Sequence, residues 1–123
     1  MDILQAIALR HSVRRYHPVA LKEEHAKALR EEISRINKKT ALHIQLITDE
    51  PNAFDSFLAH YGWLRGVTNY IVLAGTPSES LDETCGYWGE HLVLLAQMLG
   101  MNTCWVAATY RKSKASFVLK EGE

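Results

Sequence analysis

Residues 81–99 read LDETCGYWGEHLVLLAQML, a long run with apolar side chains at helical spacing. This spacing predicts an α-helix, and Ser80 followed by Glu83 is typical of a capping box at its start, with Gly100 as its C-terminal stop. One apolar flank comprises Leu81, Cys85, Trp88, Leu92, Leu95 and Leu99. A second comprises Gly89, Val93 and Ala96. A helix with two apolar flanks is either central in its own domain or covered by another subunit, and the sequence leaves both alternatives open.

Three segments outside this helix have strand patterns. Residues 42–46 alternate between apolar and polar side chains, as in a strand with one buried face. Residues 70–74 are continuously apolar, as in a strand covered on both faces. Residues 103–108, apolar from Cys104 onward, are a third strand candidate. Together with the long helix, these segments predict an α/β-type domain.

Two further helices are predicted upstream of the strands. A short opening helix follows Asp2 and ends near Arg10, and an amphipathic helix runs from Lys22 to about Asn37. Weaker helical patterns cover residues 53–60 and 111–119. We find no linker or repeat, so residues 1–123 are predicted to form a single domain.

The composition restricts the class of protein. The chain has 123 residues, 47% of them hydrophobic, and its 14 Lys and Arg balance 14 Asp and Glu. A neutral total argues against binding to nucleic acid or to a membrane through bulk charge. The sequence contains neither a spanning apolar run nor a signal-peptide pattern, and two cysteines without C-x-x-C spacing do not suggest a disulfide scaffold. We therefore expect a soluble, cytoplasmic protein.

The segment Arg10-His11-Ser12-Val13-Arg14-Arg15 concentrates hydrogen-bond donors directly after the first predicted helix. Guanidinium, hydroxyl and imidazole groups within six residues suit a phosphate that needs several directed donors. In an extended chain, Arg10, Ser12 and Arg14 would point to one side. Solvation at the surface, or pairing with the acidic middle of the chain, is the alternative explanation. A nucleic-acid site using these arginines is disfavoured by the neutral total charge.

Other candidate chemistry is weaker. The six histidines lack ligand spacing, so we expect no metal site. Cys104 lies in an apolar segment and is expected to be an inert packing residue, and Glu90-His91 is expected to be a helix-surface pair. The sequence has no G-x-G-x-x-G and no P-loop. Aromatic side chains could form a slot for a flat ring or belong to the core: Trp63, Trp88, Trp105, Tyr61 and Tyr70.

Two motifs resemble those of a known family. The segment Arg10 to Tyr16 is similar to the opening motif of the FMN-dependent nitroreductases. The segment Gly86-Tyr87-Trp88-Gly89-Glu90-His91-Leu92, continued by Leu99-Gly100-Met101-Asn102-Thr103-Cys104-Trp105-Val106, resembles that family's central helix and the strand after it. The likeness is to the compact nitroreductase branch and covers nearly the whole chain. It implies an α+β fold with helices flanking a mixed sheet, and a homodimer that binds FMN at its interface.

The resemblance also implies roles for individual residues. Arg10 and Ser12 would bind the FMN phosphate and ribityl chain with His11 nearby, and Arg14 would reach the pyrimidine edge of the flavin. Trp105, Ala107 and Ala108 would lie beside the ring, with a backbone N–H near Ala107 or Ala108 at N5. The implied reaction is ping-pong hydride transfer from NAD(P)H to a nitroaromatic, quinone or similar electron-poor acceptor. It requires no side chain as general acid or base, so no catalytic residue is assigned.

The sequence departs from the family pattern near its end. Family members continue with a further strand, a C-terminal arm and basic residues, so the resemblance implies that this chain corresponds to the N-terminal portion of the family fold. The alternative to an active enzyme is therefore an inactive domain that dimerises or binds a partner.

Overall fold

A computed structural model of the chain describes residues 1–54, 64–107 and 115–123. The elements in these residues are, in chain order, α1 (Ile3–Leu9), α2 (Glu23–Lys39), β1 (Gln45–Ile47), β2 (Tyr70–Val72) and α3 (Leu81–Met98). The helices flank an antiparallel strand pair, which confirms the predicted α+β class.

Both strands are shorter than the predicted segments: β1 overlaps the end of residues 42–46, and β2 lies within residues 70–74. Gln45 pairs with Val72, Leu46 with Ile71 and Ile47 with Tyr70. The pairing continues loosely beyond the strands, because the amide of His43 donates to the carbonyl of Ala74 at 2.7 Å and Leu42 forms a bridge with Gly75. Residues 42–47 and 70–75 therefore form a single antiparallel arm.

The apolar face of α2 explains why this helix was predictable. Ala26, Leu29, Ile33 and Ile36 are its buried residues, and they recur at helical spacing. Asn37 connects the helix to the strand pair: its side-chain amide donates to the carbonyl of Ile44 at 3.0 Å and accepts from the amide of Ile44 at 2.9 Å. The main core comprises Ile33, Ile36, Leu42, Ile44 and Leu92.

Both apolar flanks of α3 contact this chain itself. Leu92 is fully buried in the main core, and Leu81, Cys85 and Trp88 pack against that core. On the second flank, Gly89 is buried against Leu73 and Trp105. For these residues, the first of the two alternatives, a helix central in its own domain, accounts for the apolar side chains.

Of the two predictions for the ends of α3, the one for the C-terminus is confirmed and the one for the N-terminus is wrong. Gly100 has a φ of +87° and ends the helix as predicted, with the amide of Met101 donating back to Ala96 at 2.9 Å. The predicted capping box of Ser80 and Glu83 is wrong, because the Ser80 side chain makes no capping hydrogen bond. Ser80 has a ψ of 0°, outside the extended region that an N-cap requires, and its hydroxyl lies 3.4 Å from that of Ser78.

A capping box is instead present on α1. The Asp2 carboxylate accepts from the amide of Gln5 at 2.8 Å, and the Gln5 side chain accepts from the amide of Asp2 at 2.8 Å. Arg10 is the C-cap of this helix, as the sequence predicted for its end.

The third predicted strand does not form in residues 103–107. Thr103 makes a single parallel bridge with Ser12, and three residues later Arg15 forms its bridge with Arg65 instead. Because the N-terminal segment changes partner, no ladder develops beside Thr103. Ala108, most of the predicted helix at 53–60 and the first part of that at 111–119 lie outside the described residues; residues 51–54 form turns and 115–119 are not helical.

Residues 115–119 pass beside β1 and the turn after it. Glu50 accepts hydrogen bonds from the amide of Ser116 at 2.8 Å, from its hydroxyl, and from the hydroxyl of Tyr70 at 2.7 Å. The Gln45 side-chain amide bonds both backbone groups of Val118, at 2.6 and 2.9 Å. This segment is thus held through side chains rather than through a strand ladder.

Candidate functional site

The segment after α1 lies against the segment after α3. The amide of Val13 donates to the carbonyl of Thr103 at 3.0 Å, next to the parallel bridge of Ser12 with Thr103. The side chain of Arg10 joins the same residue, because its Nε donates to Thr103 Oγ1 at 3.3 Å. The structure therefore brings the start of the first motif, at residues 10–13, against Thr103, near the end of the second motif.

A second attachment fixes the end of the N-terminal motif. The amide of Tyr16 donates to the carbonyl of Arg65, and the amide of Arg65 donates to the carbonyl of Arg14, both at 2.8 Å. This close approach of the two backbone segments requires glycine at position 66. There φ is +74°, and a Cβ would lie 2.0 Å from the carbonyl oxygen of Tyr16. The motif is thereby anchored at both ends.

Two arginines of the motif, Arg10 and Arg14, affect the pKa of the Tyr16 phenol. The hydroxyl of Tyr16 donates to the carbonyl of Val13, and the ring is half-buried. Burial, reinforced by the nearby Cys104, raises the pKa of Tyr16 to about 12, whereas Arg10 and Arg14 act in the opposite direction. Tyr16 is neutral at physiological pH, as an ordinary tyrosine is, and its raised pKa extends this neutrality to higher pH. It therefore does not compensate the positive charge of the two guanidiniums.

Arg10 carries an unused donor. Its Nη2 is buried and has no hydrogen-bond partner among the residues that the structure describes. A buried guanidinium nitrogen without a partner is costly, and oxyanions such as phosphate suit this donor best. The start of the motif, residues 10–14, therefore has the donor chemistry that an anion site needs. We call these residues the anion corner.

The other motif residues take different positions. His11 is exposed, and its Nδ1 lies 3.0 Å from the carbonyl of Leu9 at the end of α1. Ser12 and Arg14 are exposed as well. The described part of the motif thus combines one partly buried arginine with more accessible donors.

A cavity of about 710 Å³ opens beside the anion corner. Its size lies within the usual range for small-ligand sites, roughly 300–1,000 Å³. Among the side chains that line it are Val13, Tyr16, Leu73, Cys104, Trp105 and Ala107. The cavity therefore offers mainly apolar and aromatic surface next to a positively charged corner.

Trp105 is held at the cavity by α3. Its indole Nε1 donates to Glu90 Oε2 at 3.0 Å, and its six-membered ring lies directly over Gly89. Ala107 also lines the cavity, whereas Ala108 lies outside the described residues. The neighbouring Cys104 is a free, partly buried cysteine that packs against Ala53, Phe54 and Leu64.

Sequence reasoning missed three residues of this site. Tyr16 and Thr103 belong to the quoted motifs but received no role, and Glu90 was interpreted as one half of a surface pair. Their roles depend on contacts between distant segments. One local signal could have indicated the role of Glu90: it directly follows Gly89, on the flank of α3 that carries small residues.

The structure places Arg10, whose Nη2 lacks a partner among the described residues, one contact away from an apolar cavity, through Thr103. The family model described as "Putative TM nitroreductase" matches residues 2–123, nearly the whole chain. The protein thus belongs to this nitroreductase family. Membership in this family of oxidoreductases is consistent with a flavin cofactor. Searches of curated proteins and of solved structures found no match. Within the described ranges, no helix is long and apolar enough to cross a membrane.

Proposed function

We propose that the protein is a cytoplasmic, FMN-dependent NAD(P)H oxidoreductase that reduces nitroaromatics, quinones or similar electron-poor acceptors. The observation that carries this proposal is the buried Nη2 of Arg10, which lacks a partner among the described residues. Arg10 does not itself line the apolar cavity, but its Nε donates to Thr103, which does. FMN has the matching chemistry, a phosphate at one end and a flat aromatic ring at the other.

In this proposal, the residues of the site take the following roles. Arg10 and Ser12 would hold the phosphate and ribityl chain with His11 nearby, and Arg14 would face the pyrimidine edge of the ring. Trp105, Ala107 and Ala108 would lie along the ring, with a backbone N–H of one of the two alanines at N5. A guanidinium near the pyrimidine edge would favour the negative charge that a flavin gains there on reduction.

FMN, when bound, supplies the acceptance and donation of hydride in a ping-pong cycle. The protein contributes orientation and electrostatics. Arg10 would fix the phosphate end and Arg14 would supply a positive charge. Tyr16 is neutral at physiological pH, as an ordinary tyrosine is, and would leave that charge uncompensated. The cavity walls would exclude water from one side of the ring, and no side chain is required as general acid or base.

We further propose that the active form is a homodimer with an FMN site in each of two places at the interface. The short helix α1 presents large apolar side chains to solvent: Ile3 is 44% exposed, Leu4 73% and Ile7 56%. A contiguous apolar helix side of this kind is typical of a surface that another protein covers.

The test is to add FMN to the purified protein, desalt the mixture and record the flavin absorption. We expect retention near one FMN per chain and a shifted flavin spectrum. An unchanged spectrum with no retention would contradict the proposal. Oxidation of NADH and of NADPH is then measured with a nitroaromatic and with a quinone, with and without FMN.

The exposed side of α1 also favours a second candidate, a domain that dimerises or binds a partner without turnover. Bound flavin with no acceptor-dependent NAD(P)H oxidation would support this alternative. Turnover that depends on added FMN would support the oxidoreductase.

A further inference from the structure

The indole of Trp105 is fixed at both of its ends by consecutive residues of α3. At the five-membered ring, Nε1 donates to Glu90 Oε2 at 3.0 Å. At the six-membered ring, Cη2 lies 2.4 Å and Cζ2 lies 3.2 Å from the position that a Cβ on residue 89 would occupy. The absence of a side chain at Gly89 therefore admits the ring, and Glu90 sets its orientation.

This fixed ring is available to a ligand. Trp105 remains 45% exposed and lines the cavity of about 710 Å³. An indole has only one hydrogen-bonding group, and here that group is already occupied by the carboxylate. What the ring offers to the cavity is its flat surface, which suits offset or edge contacts with another aromatic ring.

We propose that Glu90 is a positioning residue: with Gly89, it holds the Trp105 indole as a rigid aromatic wall, and the preference of the site for planar aromatic ligands depends on it. The proposal rests on the proposed function for the chemical class of the ligand. A wall that is already oriented loses little conformational freedom when a ring contacts it, so preorganisation strengthens binding. Without the carboxylate, the indole could rotate about its side-chain torsions.

The first test needs no flavin. The protein is labelled with fluorotryptophan, and the Trp105 resonance in the fluorine NMR spectrum is assigned with W105F. We expect E90A to shift and broaden this resonance, whereas E90Q, which retains a carbonyl oxygen as acceptor, stays close to the wild type. E83A, which removes a carboxylate from the exposed first turn of the same helix, is the control and should leave the resonance unchanged.

The second test separates positioning from general loss of structure. With FMN added, we expect E90A to raise the KM for a planar naphthoquinone by about fivefold, with kcat within about twofold. The KM for ferricyanide, which offers no aromatic ring, should not change. Equal effects on both acceptors would overturn the proposal, as would a Trp105 resonance that is the same in E90A and in the wild type.

The two tests keep the inference distinct from the proposed function. Failure to bind FMN would reject the oxidoreductase while the fluorine spectrum still reports whether Glu90 orients Trp105. FMN binding and turnover with no effect of E90A on the resonance or on the KM for naphthoquinone would reject the inference alone.

Discussion

Arg10 and Thr103 lie 93 positions apart in the sequence and are joined by a side-chain hydrogen bond, Nε to Oγ1, at 3.3 Å. The backbone reinforces this contact, since the amide of Val13 donates to the carbonyl of the same threonine at 3.0 Å. The first turn after α1 is thereby placed against the segment that leads to Trp105. This contact joins the segment of Arg10 to the cavity that Thr103 lines. The charged side chains of Arg10 and Arg14 are the subject of the first two predictions.

Replacing Arg10 by Met should weaken FMN binding by about 10- to 100-fold, because charge-assisted hydrogen bonds contribute roughly 1.5–3 kcal/mol. R10K keeps the charge but loses the fork of donors, so we expect a smaller loss. Titration of flavin fluorescence gives the dissociation constants. The matched control is R30M, on α2, where Arg30 donates only weakly to Thr48 at 3.4 Å. Equal affinity of R10M and the wild type would remove Arg10 from the site.

Replacing Arg14 by Ala should lower the two-electron reduction potential of bound FMN. The guanidinium favours the negative charge of the reduced flavin, so its loss disfavours reduction. A loss of about 1.4 kcal/mol would correspond to roughly 30 mV for a two-electron couple. Equilibration with a reference dye measures the potential, and K27A on the exposed side of α2 serves as the control. An unchanged potential in R14A would place this arginine away from the ring.

Helix α2 could be predicted because its burial repeats with the period of the helix. Leu29, Ile33 and Ile36 of α2 all face the core, so the pattern of the sequence directly reports the packing. The capping box at Ser80 could not be predicted in the same way. Its geometry depends on the backbone angles of a single residue, and a ψ of 0° at Ser80 prevents it.

The site was predictable only in part, for a related reason. Arg10 could be singled out as a candidate because its donor chemistry is local to the motif. The strand proposed after Thr103 needed a continuous partner, but the N-terminal segment makes one bridge there and then turns to Arg65. Tyr16 and Glu90 acquire their roles through contacts with distant segments, which neither composition nor spacing reveals.

Gly66 provides a test of how the N-terminal motif is anchored. With φ at +74° and a Cβ position 2.0 Å from the carbonyl of Tyr16, G66A should destabilise the protein by about 1–3 kcal/mol. This corresponds to a fall of roughly 5–10 °C in Tm by circular dichroism. G86A is the matched control: Gly86 lies in α3 with nothing within 4 Å, so alanine should raise stability by about 0.5–1 kcal/mol. A G66A protein as stable as the wild type would contradict the close approach.

Glu50 should make the stability of the protein depend on pH. Burial alone would raise the pKa of Glu50, but hydrogen bonds from Ser116 and Tyr70 outweigh it and lower the pKa below its usual value. A carboxylate with a lowered pKa stabilises the fold above its unfolded-state pKa, and this contribution is lost as the pH falls through the folded-state pKa. E50Q should therefore cost on the order of 1 kcal/mol near neutral pH and less in acid.

Urea denaturation at neutral pH and at about pH 3 measures this difference. E31Q is the control, because Glu31 makes only an exposed ion pair with Lys27 at 3.9 Å, and such pairs contribute little. A constant difference between E50Q and the wild type at both pH values would show that the carboxylate charge of Glu50 does not stabilise the attached segment.

The exposed side of α1 tests the proposed dimer. Ala6 is fully buried on the inner side of this helix, whereas Leu4 on the outer side is 73% exposed. L4E would place a charge in the proposed interface and should raise the dimer dissociation constant at least about tenfold, because burying an unpaired charge is costly. Sedimentation velocity measures the masses. V118E changes a valine elsewhere that is 64% exposed and should leave the dimer intact. Since the proposed FMN sites lie at the interface, L4E should also weaken FMN binding. A wild-type protein that is monomeric at all concentrations, or an L4E dimer as stable as the wild type, would show that α1 does not form this interface.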